Sequence, residues 1–376
     1  MKEEEILITK KLLSLNGISI SSVILYHAAG WVFIAMFWWT DRFRNVAVPN
    51  FDLMGSPEYY LLRFIEQLVI FAIPAFLFVS GYFIAFSTPK DQPAPSWLII
   101  FSRIKSLLIP FLIWSLIMLV IKLIEGEKIS IAQGIEMVVL GKTTEAFYFI
   151  PLLIQFYLLS PLITRAAKKS PFFLLLITGF FLLLVRFGQY VLILDWTIPG
   201  RDLIRFFLPS WFFPGNIFWF ALGIVIAFNF SAFKERFHPW RYFFLILAIL
   251  LIPLGMLEWE YLLSHSGRDW FPPRETILDT VYGFSVLISF LTFKLKKLTK
   301  IKAIQSLGTL SFGIYLAHSA VMIVIAKLIY RFVPKLLGLP LLYLPLLIVC
   351  GLFIPIILIM ITKRSPLKQW VGYLFG

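Results

Sequence analysis

Apolar residues fall in ten blocks along the chain, with shorter polar stretches between them. Inside the blocks the apolar positions run all round the helix instead of forming the one-sided stripe of a soluble amphipathic helix. Several blocks are long enough to cross a bilayer, which takes roughly 20 residues. The pattern predicts helices over 13–38, 60–86, 102–123, 146–164, 171–193, 212–230, 241–257, 277–294, 306–330 and 340–362. No internal repeat or low-complexity linker divides the sequence, so residues 1–376 are expected to form a single domain. Pro74, Pro110, Pro151, Pro161, Pro253 and Pro355 fall inside these blocks, where neighbouring helices can satisfy the freed carbonyls.

The polar connections alternate in charge. One set carries Lys10 and Lys11; Lys90, Arg103 and Lys105; Arg165, Lys168 and Lys169; and Lys234, Arg236 and Arg241. It continues with Lys294, Lys296, Lys297, Lys300 and Lys302, then Lys363, Arg364 and Lys368. The other set is mixed or acidic: Asp41, Asp52 and Glu58; Glu125, Glu127, Glu136 and Glu145; Asp195 and Asp202; Glu258, Glu260, Asp269 and Glu275. Basic residues collect on the cytoplasmic side of membrane proteins. The expected class is therefore an all-α, polytopic integral membrane protein of about ten transmembrane helices, with both termini cytoplasmic. The longest polar stretches, 40–59, 124–145, 194–211 and 258–276, all fall on the outer side.

Composition agrees. The chain is 60% hydrophobic and 14% charged, against about 25% charged in soluble domains, and its mean hydropathy is +0.89. A net charge of +14 would suit nucleic acid, but its concentration in short inter-helix loops fits membrane orientation, and no nucleic-acid partner is expected. The polar start, Met1-Lys2-Glu3-Glu4-Glu5, argues against a cleavable signal peptide. The single cysteine, Cys350, excludes an internal disulfide. The sequence has no phosphate-binding glycine loop, zinc-ligand spacing or Gly-x-Ser-x-Gly nucleophile elbow. No bound metal or redox cofactor is expected.

Candidate chemistry starts with His27, near the middle of the first block. An ionisable ring at bilayer depth is a functional candidate by default, and imidazole suits proton transfer near neutral pH. The alternative is a histidine that only hydrogen-bonds between helices. Gly30, one turn on, either leaves room for a substrate or packs a helix. Ser311, Tyr315 and His318 fall within about 60° of one another on their helix; they line an acceptor path, orient His27, or form a polar seam. Glu66 either pairs with Arg63 at i, i+3 or orients His27. Gln155 and Arg186 are further polar insertions, and Arg186 either holds an anion or pairs with a carboxylate. Arg103 and Lys105, with Lys168 and Lys169, either clamp phosphates or serve orientation alone. His238 and His265 are expected to be solvated loop residues.

Four segments resemble the bacterial membrane acyltransferase family 3, the ten-span O-acyltransferases. They are Leu15-Asn16-Gly17 leading to Tyr26-His27, and Ile73-Pro74-Ala75-Phe76-Leu77-Phe78-Val79-Ser80-Gly81-Tyr82-Phe83-Ile84. The third joins Arg103-Ile104-Lys105-Ser106-Leu107-Leu108-Ile109-Pro110-Phe111-Leu112-Ile113-Trp114-Ser115 to Tyr148-Phe149-Ile150-Pro151-Leu152-Leu153-Ile154-Gln155-Phe156-Tyr157-Leu158-Leu159-Ser160-Pro161. The last is Gly308-Thr309-Leu310-Ser311-Phe312-Gly313-Ile314-Tyr315-Leu316-Ala317-His318. Their order and spacing, over residues 15 to 318, carry the resemblance.

The resemblance implies transfer of an acyl group, often acetyl, from cytoplasmic acyl-CoA to a hydroxyl of a surface glycan or its lipid-linked precursor, in the cytoplasmic membrane. It favours His27 as general base; Glu66, if not simply paired with Arg63, would orient His27 or polarise the acceptor. Gln155, Tyr157, Ser311, Tyr315 and His318 would face the acceptor. Where the family carries an arginine eleven positions before this histidine, this chain has Asn16. Eleven residues make about three turns, so Asn16 and His27 share a face ~16 Å apart. Asn16 offers hydrogen bonds without charge; Lys10, Lys11, Arg103 and Lys105 are the cations left to meet acyl-CoA. Two other classes fit the residues: a transporter or flippase for a glycan or lipid-linked intermediate, using His27, Glu66, Arg186 and His318 as a path, and a non-catalytic scaffold in glycan assembly.

Overall fold

The computed structural model describes residues 2–89, 91–272, 275–293 and 302–376. Lys90, Lys294, Lys296, Lys297 and Lys300, used above for orientation, lie outside the described residues. Among the described residues the regular elements are all helical. In chain order they are α1 (Lys2–Phe37), α2 (Pro57–Val69), α3 (Ala72–Phe86), α4 (Trp97–Ile124) and α5 (Ile131–Val139). Then come α6 (Phe149–Lys169), α7 (Pro171–Ile193), α8 (Arg201–Phe207), α9 (Ile217–Phe228) and α10 (Phe230–Phe237). The last five are α11 (Arg241–His265), α12 (Ile277–Thr292), α13 (Lys302–Phe332), α14 (Pro340–Arg364) and α15 (Val371–Phe375), with short 3-10 turns between several.

Among the described residues eight segments are long and apolar enough to cross a membrane; the remaining two expected spans, α9 and α12, are shorter apolar helices. The chain is a multi-pass membrane protein. The block expected over 212–230 is trimmed because Phe213–Gly215 turns as a 3-10 helix, leaving α9 to begin at Ile217. The second span is interrupted at residues 70–71, dividing α2 from α3. Pro74 explains the break: it lacks the N–H that would bond to the Ile70 carbonyl, and its ring crowds that carbonyl. In the other direction α1 extends well before the apolar block, since Glu, Leu and Lys are strong helix formers.

Four helices occupy stretches expected to be loops: α5, α8, α10 and α15. For α5 the cause is local: Ser130 accepts from the Gln133 backbone while Gln133 caps the Ser130 N–H, a complete capping box. Glu258 and Glu260, expected in a loop, are held in the long α11.

The described residues form two compact units. One holds the chain up to Ala72 together with the segment from Lys302 to Phe375. In it α1 lies along α13, with α2 and α14 also against α1. Glycines set this contact: a Cβ on Gly17 would meet the Ile304 carbonyl oxygen at 2.1 Å, and one on Gly308 the Leu13 oxygen at 1.9 Å. Such small-residue contacts let membrane helices approach backbone to backbone. The other unit runs from Ile73 to Phe293 and pairs α6 and α7 with α9, and α11 with α12. Its α3 and α9 meet through a second reciprocal pair, Gly81 and Gly223. Phe172, Phe180 and Leu257 are among many large apolar side chains left exposed on α7 and α11, as a lipid-facing surface requires.

Candidate functional site

In the first unit, packing of α1 along α13 brings His27 and His318 together, their ring centroids 5.2 Å apart and tilted by 43°. His318 is fully buried. Its Nδ1 lies 2.5 Å from the Tyr315 carbonyl oxygen. A carbonyl only accepts, so Nδ1 carries the hydrogen and Nε2 is left as acceptor; the Ser319 hydroxyl sits 3.3 Å from Nε2. The Tyr315 ring centroid is 5.8 Å from that of His318. Ser311, on the same helix face, donates to the Gly308 carbonyl.

His27 differs. It is half-buried, packed by Tyr26 and His318. Neither of its ring nitrogens has a protein hydrogen bond among the described residues. One turn on, a Cβ at Gly30 would meet nothing within 4 Å. The ring therefore stands beside open space with its basic nitrogen unused.

Further back on the same face, the Asn16 side-chain oxygen and the Ser19 hydroxyl are buried with no hydrogen-bond partner among the described residues. Lys10 is exposed and Lys11 buried near the start of α1. Glu66 sits on α2, buried and ion-paired with Arg63. No hydrogen bond joins Glu66 to His27 among the described residues.

In the second unit, the second sequence segment and both stretches of the third meet at Arg103. Its Nη2 donates to the Phe83 carbonyl at 3.2 Å and to the Ser87 hydroxyl at 3.3 Å. Arg103 and Ser80 also lie close to the buried Tyr157 hydroxyl. Lys105 is exposed; two residues after Arg103, it lies about 200° round the helix. One ligand therefore does not meet both from the same side. Lys168 donates to the Gln92 carbonyl and stands over the Phe228 ring. Gln155 donates to the Pro151 and Trp211 carbonyls at 3.1 and 2.7 Å, tying α6 to the chain before α9.

Arg186 belongs to a larger network. It pairs with Glu275 and donates to Asn216 and Thr280, each at 3.3 Å. Beside it Glu258 accepts from Tyr190 and from Thr276, the latter at 2.6 Å, and Thr276 caps α12 with Asp279. Each of these acceptors is filled by a neighbouring side chain, so the network holds α7, α11 and α12 together. Of its members, the sequence singles out Arg186 alone as an intramembrane insertion. The Thr276-x-x-Asp279 cap is the signal that would have placed the rest. His265 ends α11 with its ring stacked on Tyr261, and His238 contacts Arg241.

The arrangement supplies an unengaged imidazole beside space in one unit and a half-exposed arginine with a buried tyrosine in the other. A family model, acyltransferase family 3, described as an acyltransferase domain, matches residues 14–363. No curated protein and no solved structure matches the chain.

Proposed function

The chain belongs to acyltransferase family 3, and from that footing we propose that it moves an acyl group from cytoplasmic acyl-CoA to a carbohydrate hydroxyl. Acetyl is the group we assign, and the acceptor is a surface glycan or its lipid-linked precursor. The observation that carries the reading is His27: a half-buried imidazole, free of protein hydrogen bonds among the described residues, beside open space at Gly30.

Uncatalysed, an alcohol is a weak nucleophile because its proton must leave as the new C–O bond forms. A base with a pKa near the working pH removes it in the transition state. In this reading His27 accepts the acceptor's proton while the oxygen attacks the thioester carbonyl. The tetrahedral intermediate then collapses: the C–S bond breaks, and the imidazolium returns its proton to the departing sulfur. An ester and free CoA thiol leave, and the protein ends unchanged.

The other residues take supporting roles. His318 packs the His27 ring in place, with its own tautomer set by the Tyr315 carbonyl. Tyr315 and Ser311 line the acceptor side of α13. Within the second unit, the Arg103 guanidinium offers the paired donors that suit a phosphate. Lys10 adds exposed point charge at the start of α1, next to the buried Lys11, and Lys105 faces away from Arg103 and takes no part in its contact. Tyr157 and Gln155 shape the wall beside Arg103. Glu66 stays paired with Arg63 within α2.

Mass spectrometry of surface glycans from cells with and without the protein tests the reaction class. The expected result is loss of one acyl mass from a defined sugar, restored when the gene is returned. Glycans identical in both cells overturn the assignment.

A further inference from the structure

Serines in membrane helices usually bond back to a carbonyl one turn earlier, which leaves no polar atom unsatisfied. On α1, Ser14 and Ser21 do so, donating to the Lys10 and Gly17 carbonyls at 2.9 and 3.0 Å. Ser19 does not. It is 0% exposed, and its hydroxyl has no partner among the described residues. The Asn16 side-chain oxygen, one turn before it, is in the same condition. Buried polar groups are nearly always hydrogen-bonded, so two neighbouring exceptions on one helix face call for a partner the protein does not supply.

Position narrows what that partner is. On an α-helix Asn16, Ser19 and His27 fall within about 80° of one another, with Ser19 ~12 Å and Asn16 ~16 Å before His27 along the axis. The direction is from the basic start of α1 toward the candidate base. Neither Asn16 nor Ser19 carries charge, so they match a neutral group with both N–H and C=O. A thioester whose carbonyl lies at His27 trails an arm back along this face. In acyl-CoA that arm is pantetheine, which carries two secondary amides between the sulfur and the phosphates. Asn16 Oδ1 accepts from an amide N–H, and the Ser19 hydroxyl donates to an amide C=O.

We propose that Asn16 and Ser19 form a subsite for the amides of the donor's pantetheine arm, so that this stretch of α1 reads the neutral part of acyl-CoA. The subsite rests on the acyl-CoA reading above, and it gives Asn16 a task that needs no charge.

Donor truncation tests it. Transfer rates are measured in membranes with S-acetyl-pantetheine, which keeps both amides, and with the acetyl thioester of a simple alkanethiol, which has none. Wild-type protein prefers the amide-bearing donor. In Ser19→Ala and Asn16→Leu that preference in kcat/KM falls about tenfold per variant, the size expected for one lost hydrogen bond. A variant that only folds poorly loses both rates in proportion, so an unchanged ratio in both variants overturns the subsite. Ser19→Ala is the milder change and keeps the test readable if Asn16→Leu does not accumulate. Wild-type protein that uses acetyl-CoA but shows no amide preference also overturns the subsite while leaving the donor assignment standing. Wild-type protein that transfers from no thioester, acetyl-CoA included, overturns both.

Discussion

An imidazole serves as a base only if its lone pair is not already held. His318 shows the held state: its Nδ1 hydrogen goes to the Tyr315 carbonyl and its Nε2 faces Ser319. His27, 5.2 Å away between centroids, is the one left open. In the proposed reaction this difference makes His27 the base and leaves packing to its neighbour. His318→Phe, which keeps a ring against His27, is expected to lose less transfer rate than His318→Ala; equal losses would remove the packing role. The Arg63–Glu66 pair makes a separate prediction. Both side chains are about 5% exposed, so Glu66→Leu removes the carboxylate that balances a buried guanidinium and should lower stability by about 3–5 kcal/mol. Arg63→Met combined with Glu66→Leu should recover most of that in detergent melting curves. This pair was legible in sequence from its i, i+3 spacing. The meeting of His27 with His318 was not, because spacing along one helix says nothing about which other helix it packs against.

Backbone contacts between helices explain three of the glycines in the family-like segments, Gly17, Gly81 and Gly308. Gly308 presses against the Leu13 carbonyl and Gly81 against that of Phe220. A methyl group has no room at either. Gly308→Ala should therefore loosen α1 from α13 and lower the melting temperature. Gly30→Ala, on the same α1 but facing space, should raise stability slightly, since alanine favours a helix over glycine by roughly 0.8–1 kcal/mol. Thermal shift in detergent checks both, and the same sign for the two would contradict the packing account. Helix positions follow apolar block length closely: the fifth block and α7 coincide at 171–193. The departures have local causes that the block pattern does not register. Pro74 splits the second span, and the Ser130–Gln133 capping box starts α5 inside a polar stretch.

At the scale of the whole molecule, orientation is the assumption that gives the donor and acceptor different sides. Alternating charge predicts that Lys169 faces the cytoplasm and Ser264 the opposite side. In a Cys350→Ser background, Lys169→Cys should react with a membrane-impermeant maleimide only after the cells are opened, and Ser264→Cys before. Reversed labelling would invert the proposed entry of acyl-CoA. Membership of the acyltransferase family was readable from the four ordered segments, and the family match over residues 14–363 bears it out. The second unit's network around Arg186 went unread, because Glu258 and Glu275 lie in stretches that the charge pattern assigns to loops. The most direct measurement is the rate of labelled acetyl transfer in membranes bearing wild-type or His27→Ala protein at matched abundance. The account predicts a fall of about 10²–10⁴-fold, the usual contribution of a general base, with CoA binding retained. Full-rate transfer by His27→Ala would contradict it.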